Sequence, residues 1–188
     1  KKGFYKKTKD KEGKRVIEVL NLKTMQYTPK QKVRFVTIGA AKQEEDLKKR
    51  LKILINGKDK AGRFYRKSFY SSFAYVSHRI PEITDDIYKI DHALCAGFGW
   101  EIGTFEMWDA LDVSKTLSKM EEEGFKAADW VYDMVSSGNI SFYNTENGTR
   151  NYYNISTKQQ KKIAGMEDFI ILNHIRPTKT IWSNSGCT

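Results

Sequence analysis

The sequence predicts a mainly α domain with a β-hairpin at each end. Three observations carry that prediction. Apolar residues recur at helical spacing through the middle of the chain. Two β-type stretches, both opening on Phe-Tyr, bracket that middle. The 188 residues are 39% hydrophobic, 30% charged and 13% aromatic, a balance that lets a chain of this length bury a core.

The first bracket runs from Phe4-Tyr5-Lys6 through Gly13-Lys14-Arg15 to Ile17, Val19 and Leu20. The second runs from Phe142-Tyr143-Asn144 through Gly148-Thr149-Arg150 to Tyr152, Tyr153 and Ile155. Each reads as two short β segments joined by a polar turn. Asn147-Gly148 is the stronger turn signal, because both residues tolerate positive φ. The pair reads either as an internal repeat or as two unrelated hairpins with coincident starts.

Between the brackets, Leu47, Leu51, Leu54 and Ile55 share one helical face, and Asn56-Gly57 predicts a left-handed cap. Phe69, Phe73, Val76 and Ile80 form a second stripe, with Pro81 expected to kink or restart the helix. Ile83, Ile87, Ile90 and Leu94 form a third, with Asp85 and Asp86 placed to complement its dipole. Gly97-Phe98-Gly99 stops it. Short helices follow around Met107, Trp108 and Leu111, around Leu117 and Met120, and around Trp130, Val131, Met134 and Val135. Near the end, Phe169-Ile170-Ile171-Leu172 reads as a strand and Ser183-Asn184-Ser185-Gly186 as a linker. The domain boundaries this suggests are 1–38, 39–137 and 138–188.

The net charge is +10, and it is uneven: residues 1–60 hold 19 Lys/Arg against 7 Asp/Glu. A basic arm of this kind suits a solvated face, an anionic ligand such as a CoA phosphate, or nucleic acid. No nucleic-acid motif accompanies it. Cys95 and Cys187 are too few and too far apart for a disulfide framework or a metal knuckle, so a reducing, cytoplasmic setting is expected. His92 and His174 lack ligand-spaced partners, so no metal is expected. No apolar run approaches the ~20 residues that cross a bilayer. The opening Lys1-Lys2-Gly3-Phe4-Tyr5 has neither an initiator Met nor a signal-peptide apolar region, and reads as a cut from a longer chain.

The most informative stretch is His78 to Asp112. It contains His78-Arg79, then Ile90-Asp91-His92-Ala93, then Gly97-Phe98-Gly99-Trp100-Glu101-Ile102-Gly103-Thr104-Phe105-Glu106 and Trp108-Asp109. The glycines allow a sharp turn or close backbone approach between two helices. Trp100, Phe105 and Trp108 are expected to anchor the turn by burial. Asp91 and Asp109 are placed to cap or hydrogen-bond neighbouring backbone. On the residues alone this is also what a ligand-free helix–turn–helix corner looks like.

In this order, the motifs resemble the C-terminal domain of 3-hydroxyacyl-CoA dehydrogenases, above all the bacterial forms fused to an enoyl-CoA hydratase. The resemblance implies a helical fold like the 6-phosphogluconate-dehydrogenase C-terminal domain. It also implies a parent enzyme that uses NAD to oxidise 3-hydroxyacyl-CoA in fatty-acid β-oxidation. It marks His78, Arg79, Asp91, Gly97, Gly99, Trp100, Gly103, Phe105 and Asp109 as candidates for the acyl-CoA groove or the interface beside it. Two positions depart from the family pattern: His78 replaces an Asn and Thr104 a Pro. Both point to a second, architectural copy, with residues 1–38 closing a preceding copy and residues 138–188 leading towards a hydratase domain.

No G-x-G-x-x-G follows a strand, so a dinucleotide fold is not expected in this segment. No Ser elbow or Cys-His arrangement stands out. The expectation is a segment with no cofactor and no catalytic residue of its own. Its partners would be the dinucleotide-binding and first helical domains of the parent, where NAD and acyl-CoA bind. The long helix, with Phe69, Phe73, Val76, Tyr70 and Tyr75, is expected to leave an apolar face that supports a weak homodimer. The rival readings are a basic nucleic-acid-binding module and a purely structural helical module.

Overall fold

The computed structural model describes residues 3–146, 148–166, 172, 176 and 179–184. Cys187, His174 and most of the strand expected at Phe169–Leu172 lie outside the described residues. The chain divides into two units, Lys1–Phe35 and Val36–Thr188. It is mainly α, with seven helices and two small antiparallel sheets among the described residues.

The first unit is a three-stranded meander of β1 (Tyr5–Lys9), β2 (Arg15–Asn21) and β3 (Gln26–Pro29). The second unit holds α1 (Val36–Gln43), α2 (Leu47–Asn56), α3 (Lys60–Ile83), α4 (Ile87–Phe98), α5 (Thr104–Ala110), α6 (Val113–Glu122) and α7 (Asp129–Ser136). It closes with β4 (Tyr143–Glu146), β5 (Thr149–Asn154) and β6 (Gln159–Lys162). Each expected hairpin therefore gains a third strand. The signal for it is the turn Asn21-Leu22-Lys23-Thr24-Met25, matched by Asn154-Ile155-Ser156-Thr157-Lys158. Asn21 accepts from the Lys23 and Thr24 amides, and Asn154 from the Thr157 amide. Met25 and Lys158 both adopt positive φ, 55° and 54°.

The two sheets correspond in register at the Phe-Tyr start and pair for pair in the second hairpin, while the first hairpin is one pair longer in β1–β2 than in β4–β5. Tyr5 pairs with Val19 as Tyr143 pairs with Tyr152. The Leu20 amide donates to Phe4 O at 2.9 Å, as the Tyr153 amide donates to Phe142 O at 2.7 Å. Of the two readings of the Phe-Tyr echo, the structure supports the repeat.

Helix α3 runs through the core of the second unit, with Tyr70, Phe73 and Ile80 fully buried. Phe73 stacks on Trp108 at 4.9 Å, and Trp108 and Phe105 pack on Phe142 at 5.2 and 4.9 Å. This aromatic stack joins α3, α5 and the lead into β4. Burial of each ring contributes a few kcal/mol, ~25 cal/mol per Å² of apolar surface.

Several local expectations are corrected. Helix α3 does not restart at Pro81 but continues to Ile83. Pro81 has no N–H for the carbonyl of Ser77, and the indole Nε1 of Trp130 donates to that carbonyl at 2.8 Å instead. Ile83 ends α3 and is exposed, so it is not part of the α4 stripe. Gly57 has φ −59°, not a left-handed cap. Its role is close approach: a Cβ there would lie 2.3 Å from Thr37 Oγ1 and 2.9 Å from Gly62 Cα. The apolar face expected along α3 is mostly covered within the unit. Tyr70, Phe73 and Val76 are buried in its core, Phe69 is half-buried, and Tyr75 stays exposed, as does Phe64 earlier on the helix.

An aspartate corner as candidate functional site

Helix α4 ends at Phe98, and Gly99 takes the left-handed conformation (φ 67°, ψ 30°) that stops it. The chain then turns into α5 at Gly103. The first amides of any helix lack intrahelical partners, and an N-cap side chain normally accepts from them. Gly103 has no side chain, and Asp91 from α4 does the work in its place. Its carboxylate accepts from Phe105 N at 3.0 Å and Glu106 N at 3.1 Å. Glu106 completes the cap, accepting from Gly103 N at 2.7 Å. Glycine is required because Asp91 fills the space: a Cβ on Gly103 would sit 2.2 Å from Asp91 Cβ and Cγ.

The second aspartate repeats the logic one layer further. Asp109, in the last turn of α5, accepts from Phe142 N at 2.8 Å and Tyr143 N at 2.9 Å, and so pins the start of β4. Tyr143 links the two carboxylates, because its hydroxyl donates to Asp91 at 2.9 Å. Arg150 from β5 pairs with Glu106 at 2.5 Å and lies 4.4 Å from the centre of the Tyr143 ring. Asp86, just before α4, accepts from Tyr152 Oη and from Asn154 Nδ2, and pairs with Lys89 at 2.9 Å.

Burial sets the electrostatics. Desolvation pushes Asp91 up to about 6 despite three donors, and Asp109 up to about 7 despite two backbone amides. The Tyr143 hydroxyl is pushed up by burial and by the Asp91 charge, so it stays a donor. Asp86 moves down, chiefly through its bond from Tyr152. Asp91 and Asp109 are thus committed to backbone and tyrosine donors, which is a structural use.

Two open spaces flank the corner. A polar cavity of about 450 Å³ is lined by Glu106, Asp109, Tyr143 and Arg150, with Ile102 and Lys48. An apolar groove of about 490 Å³ runs along Phe64, Phe69 and Phe73 to Trp100, Ile102 and Met107.

The structure brings together Asp91, Gly103, Phe105 and Asp109. Gly97 lies inside α4 with open space around it, not in the turn. Trp100 was expected to be a buried anchor but is 43% exposed, stacked on Phe98 at the groove mouth; only Phe105 and Trp108 anchor the turn. His78 and Arg79 bond elsewhere, the His78 ring with Lys126 O at 3.3 Å and Arg79 with Glu82 at 2.5 Å. Sequence reasoning missed Glu106, Tyr143, Arg150 and Asp86. Glu106, three residues after Gly103, had a readable signal, the acidic end of a capping box. The others are partners from distant sequence.

The fold and this corner define a helical domain whose paired buried carboxylates hold a three-stranded sheet. Sequence relatives place it further. The chain is 37% identical over 187 residues, 99% of its length, to a probable 3-hydroxyacyl-CoA dehydrogenase of Bacillus subtilis. It is 28% and 29% identical over 105 residues to putative fatty acid oxidation complex trifunctional enzymes of Rickettsia prowazekii and Rickettsia felis. The chain is therefore related, along nearly its whole length, to 3-hydroxyacyl-CoA dehydrogenases, as the motif order indicated. It spans 23% of the Bacillus protein and 13% of each Rickettsia protein. No protein-family model matches it, and no solved structure matches it. No helix among the described residues is long and apolar enough to cross a membrane.

Proposed function

We propose that this chain is the C-terminal, substrate-side helical domain of an NAD-dependent 3-hydroxyacyl-CoA dehydrogenase acting in fatty-acid β-oxidation. Its own role is architectural. The observation that carries the reading is the aspartate corner, which falls on the motif residues and commits Asp91 and Asp109 to holding backbone. The similarity of nearly the whole of this chain to about a quarter of the Bacillus protein supports it. The resemblance to the 6-phosphogluconate-dehydrogenase C-terminal fold belongs to the same proposal, as do the roles of the motif residues beside an acyl-CoA groove. NAD and the catalytic groups belong to other parts of the parent enzyme.

In this reading residues 1–38 close a preceding helical copy, and residues 138–188 close this one and lead towards a hydratase domain. The repeat supports the first assignment. Phe142 is buried and its amide is held by Asp109, whereas its equivalent Phe4 is 66% exposed. Among the described residues no carboxylate accepts from the Phe4 or Tyr5 amide.

The test is calorimetric titration of the chain with NAD and an assay of NADH formation from a 3-hydroxyacyl-CoA. The isolated chain is expected to do neither, and the longer protein bearing it to do both. Micromolar NAD binding by the isolated chain would overturn the assignment of the cofactor to another domain. A longer protein inactive on every 3-hydroxyacyl-CoA would overturn the function.

A further inference from the structure

The first sheet has the build of the second without what the second packs on. Among the described residues of Lys1–Phe35 only Leu20 is buried, while Phe4, Tyr5, Ile17, Leu22 and Met25 are exposed. A small sheet holds together when an apolar face packs on something, so an uncovered one of this kind is built for a partner.

Register identifies the face. Tyr5 lies opposite Val19 and Lys7 opposite Ile17, which puts Tyr5, Ile17 and Val19 on one side. The other side is partly occupied by its own contacts: Lys6 pairs with Glu18 at 3.6 Å and lies 5.5 Å from the centre of the Tyr27 ring. In the second sheet the matching residues are Tyr143, Arg150 and Tyr152, and each meets a carboxylate, from Asp91, Glu106 and Asp86 in turn. A fourth, Asp109, holds the Phe142 and Tyr143 amides. Carried over to the first sheet, this pattern splits. Phe4 and Tyr5 keep the two amides and Tyr5 keeps the hydroxyl, whereas Ile17 and Val19 have no side-chain donor. A carboxylate facing either of them would be desolvated without a partner.

We infer that the Phe4-Tyr5 side of the first sheet docks on a helical unit built like the helices of the second unit. In that partner one aspartate accepts from the Phe4 and Tyr5 amides and another from the Tyr5 hydroxyl, while the places matching Glu106 and Asp86 carry no carboxylate. The partner is a preceding segment of the longer protein, and to that extent the inference rests on the family reading. A second copy of this chain does not fit, because its Asp91 and Asp109 already hold its own Tyr143 and Phe142.

The test is residue-resolved hydrogen exchange in this chain and in the longer protein bearing it. The Phe4 and Tyr5 amides are expected to exchange rapidly in this chain and about a hundredfold more slowly in the longer protein, the scale of a hydrogen bond to a charged group. Asp109 precedes Phe142 by 33 residues and Asp91 precedes Tyr143 by 52, so aspartates are expected within a few residues of those distances before Phe4 and Tyr5. Replacing the nearer one with Ala is expected to restore rapid exchange at Phe4 and Tyr5 and to leave Phe142 and Tyr143 protected. Tyr5→Phe, a milder change, is expected to speed exchange of the first pair several-fold in the longer protein and to alter nothing in this chain. Equal exchange in the chain and the longer protein would overturn the docking. Absence of the upstream aspartates, or protection that survives loss of the nearer one, would overturn the carboxylate contact. A longer protein that oxidises 3-hydroxyacyl-CoA yet leaves both amides unprotected sinks this inference and spares the family reading; protected amides in an inactive protein do the reverse.

Discussion

Gly103→Ala is the sharpest test of the corner. The added Cβ would stand 2.2 Å from Asp91 Cβ and Cγ and 2.5 Å from Asp91 Cα. Those atoms belong to a backbone and its first side-chain carbons, so relief requires α4 and α5 to separate. Separation by about 1 Å breaks the bonds from Phe105 N and Glu106 N to Asp91. Hydrogen bonds to a charged group contribute roughly 1.5–3 kcal/mol each, and an underpartnered buried carboxylate adds to the cost. The expected loss is about 3–5 kcal/mol. For a chain of this size each kcal/mol moves the midpoint by roughly 2–4 °C, so thermal unfolding followed by circular dichroism is expected to fall by about 6–20 °C. The paired control is Gly97→Ala, where the added Cβ meets nothing within 4 Å inside α4. That change is expected to stabilise by up to ~1 kcal/mol through helix propensity. A Gly103→Ala midpoint within about 1 °C of the parent would refute the argument that Asp91 stands in for the missing cap.

Three further outcomes follow from the same geometry. Asp91 and Asp109 sit at about 6 and about 7 when folded, above the ~3.9 of an unfolded aspartate, so the folded state holds more protons between those values. Stability is therefore expected to fall as pH rises from about 4 to 7 and to level off above it. The change between pH 5 and pH 8 is a few kcal/mol in urea melts, and stability that climbs over this range through these two groups would contradict it. Asp109→Ala frees the Phe142 and Tyr143 amides and is expected to cost about 2–4 kcal/mol, read as faster hydrogen exchange in β4 and β5 before α2 and α3 are affected. Trp130→Phe leaves the Ser77 carbonyl without a donor at a cost of about 1–3 kcal/mol. In a Pro81→Ala background that cost is expected to shrink, because an alanine N–H can restore the helical bond; additive costs in the double-mutant cycle would refute the link.

The sequence by itself determined the helical class, most helix faces, the two Phe-Tyr hairpins and the corner. These are properties of local periodicity and of residue types with few uses: a Gly-rich turn between amphipathic segments, flanked by aspartates, leaves little choice of structure. It also placed Asp91 and Asp109 as backbone acceptors. Tertiary structure decided what each residue is for. Three similar glycines separate into a left-handed stop (Gly99), a close contact (Gly103) and an unremarkable helical position (Gly97), because only the packing of α4 on α5 places Asp91 against one of them. Trp100 and Trp108 are alike in sequence, yet Trp108 is stacked under Phe73 and Trp100 stays open at the groove. Pro81 reads as a helix breaker until Trp130, far along the chain, supplies the missing donor. Tyr143 and Arg150 reach the corner only because β4 and β5 fold back across it, a long-range pairing that carries no local signal. The third strand of each sheet falls between these cases: its Asn-initiated turn was legible, but only the matching registers show that two stretches more than a hundred residues apart are one motif used twice.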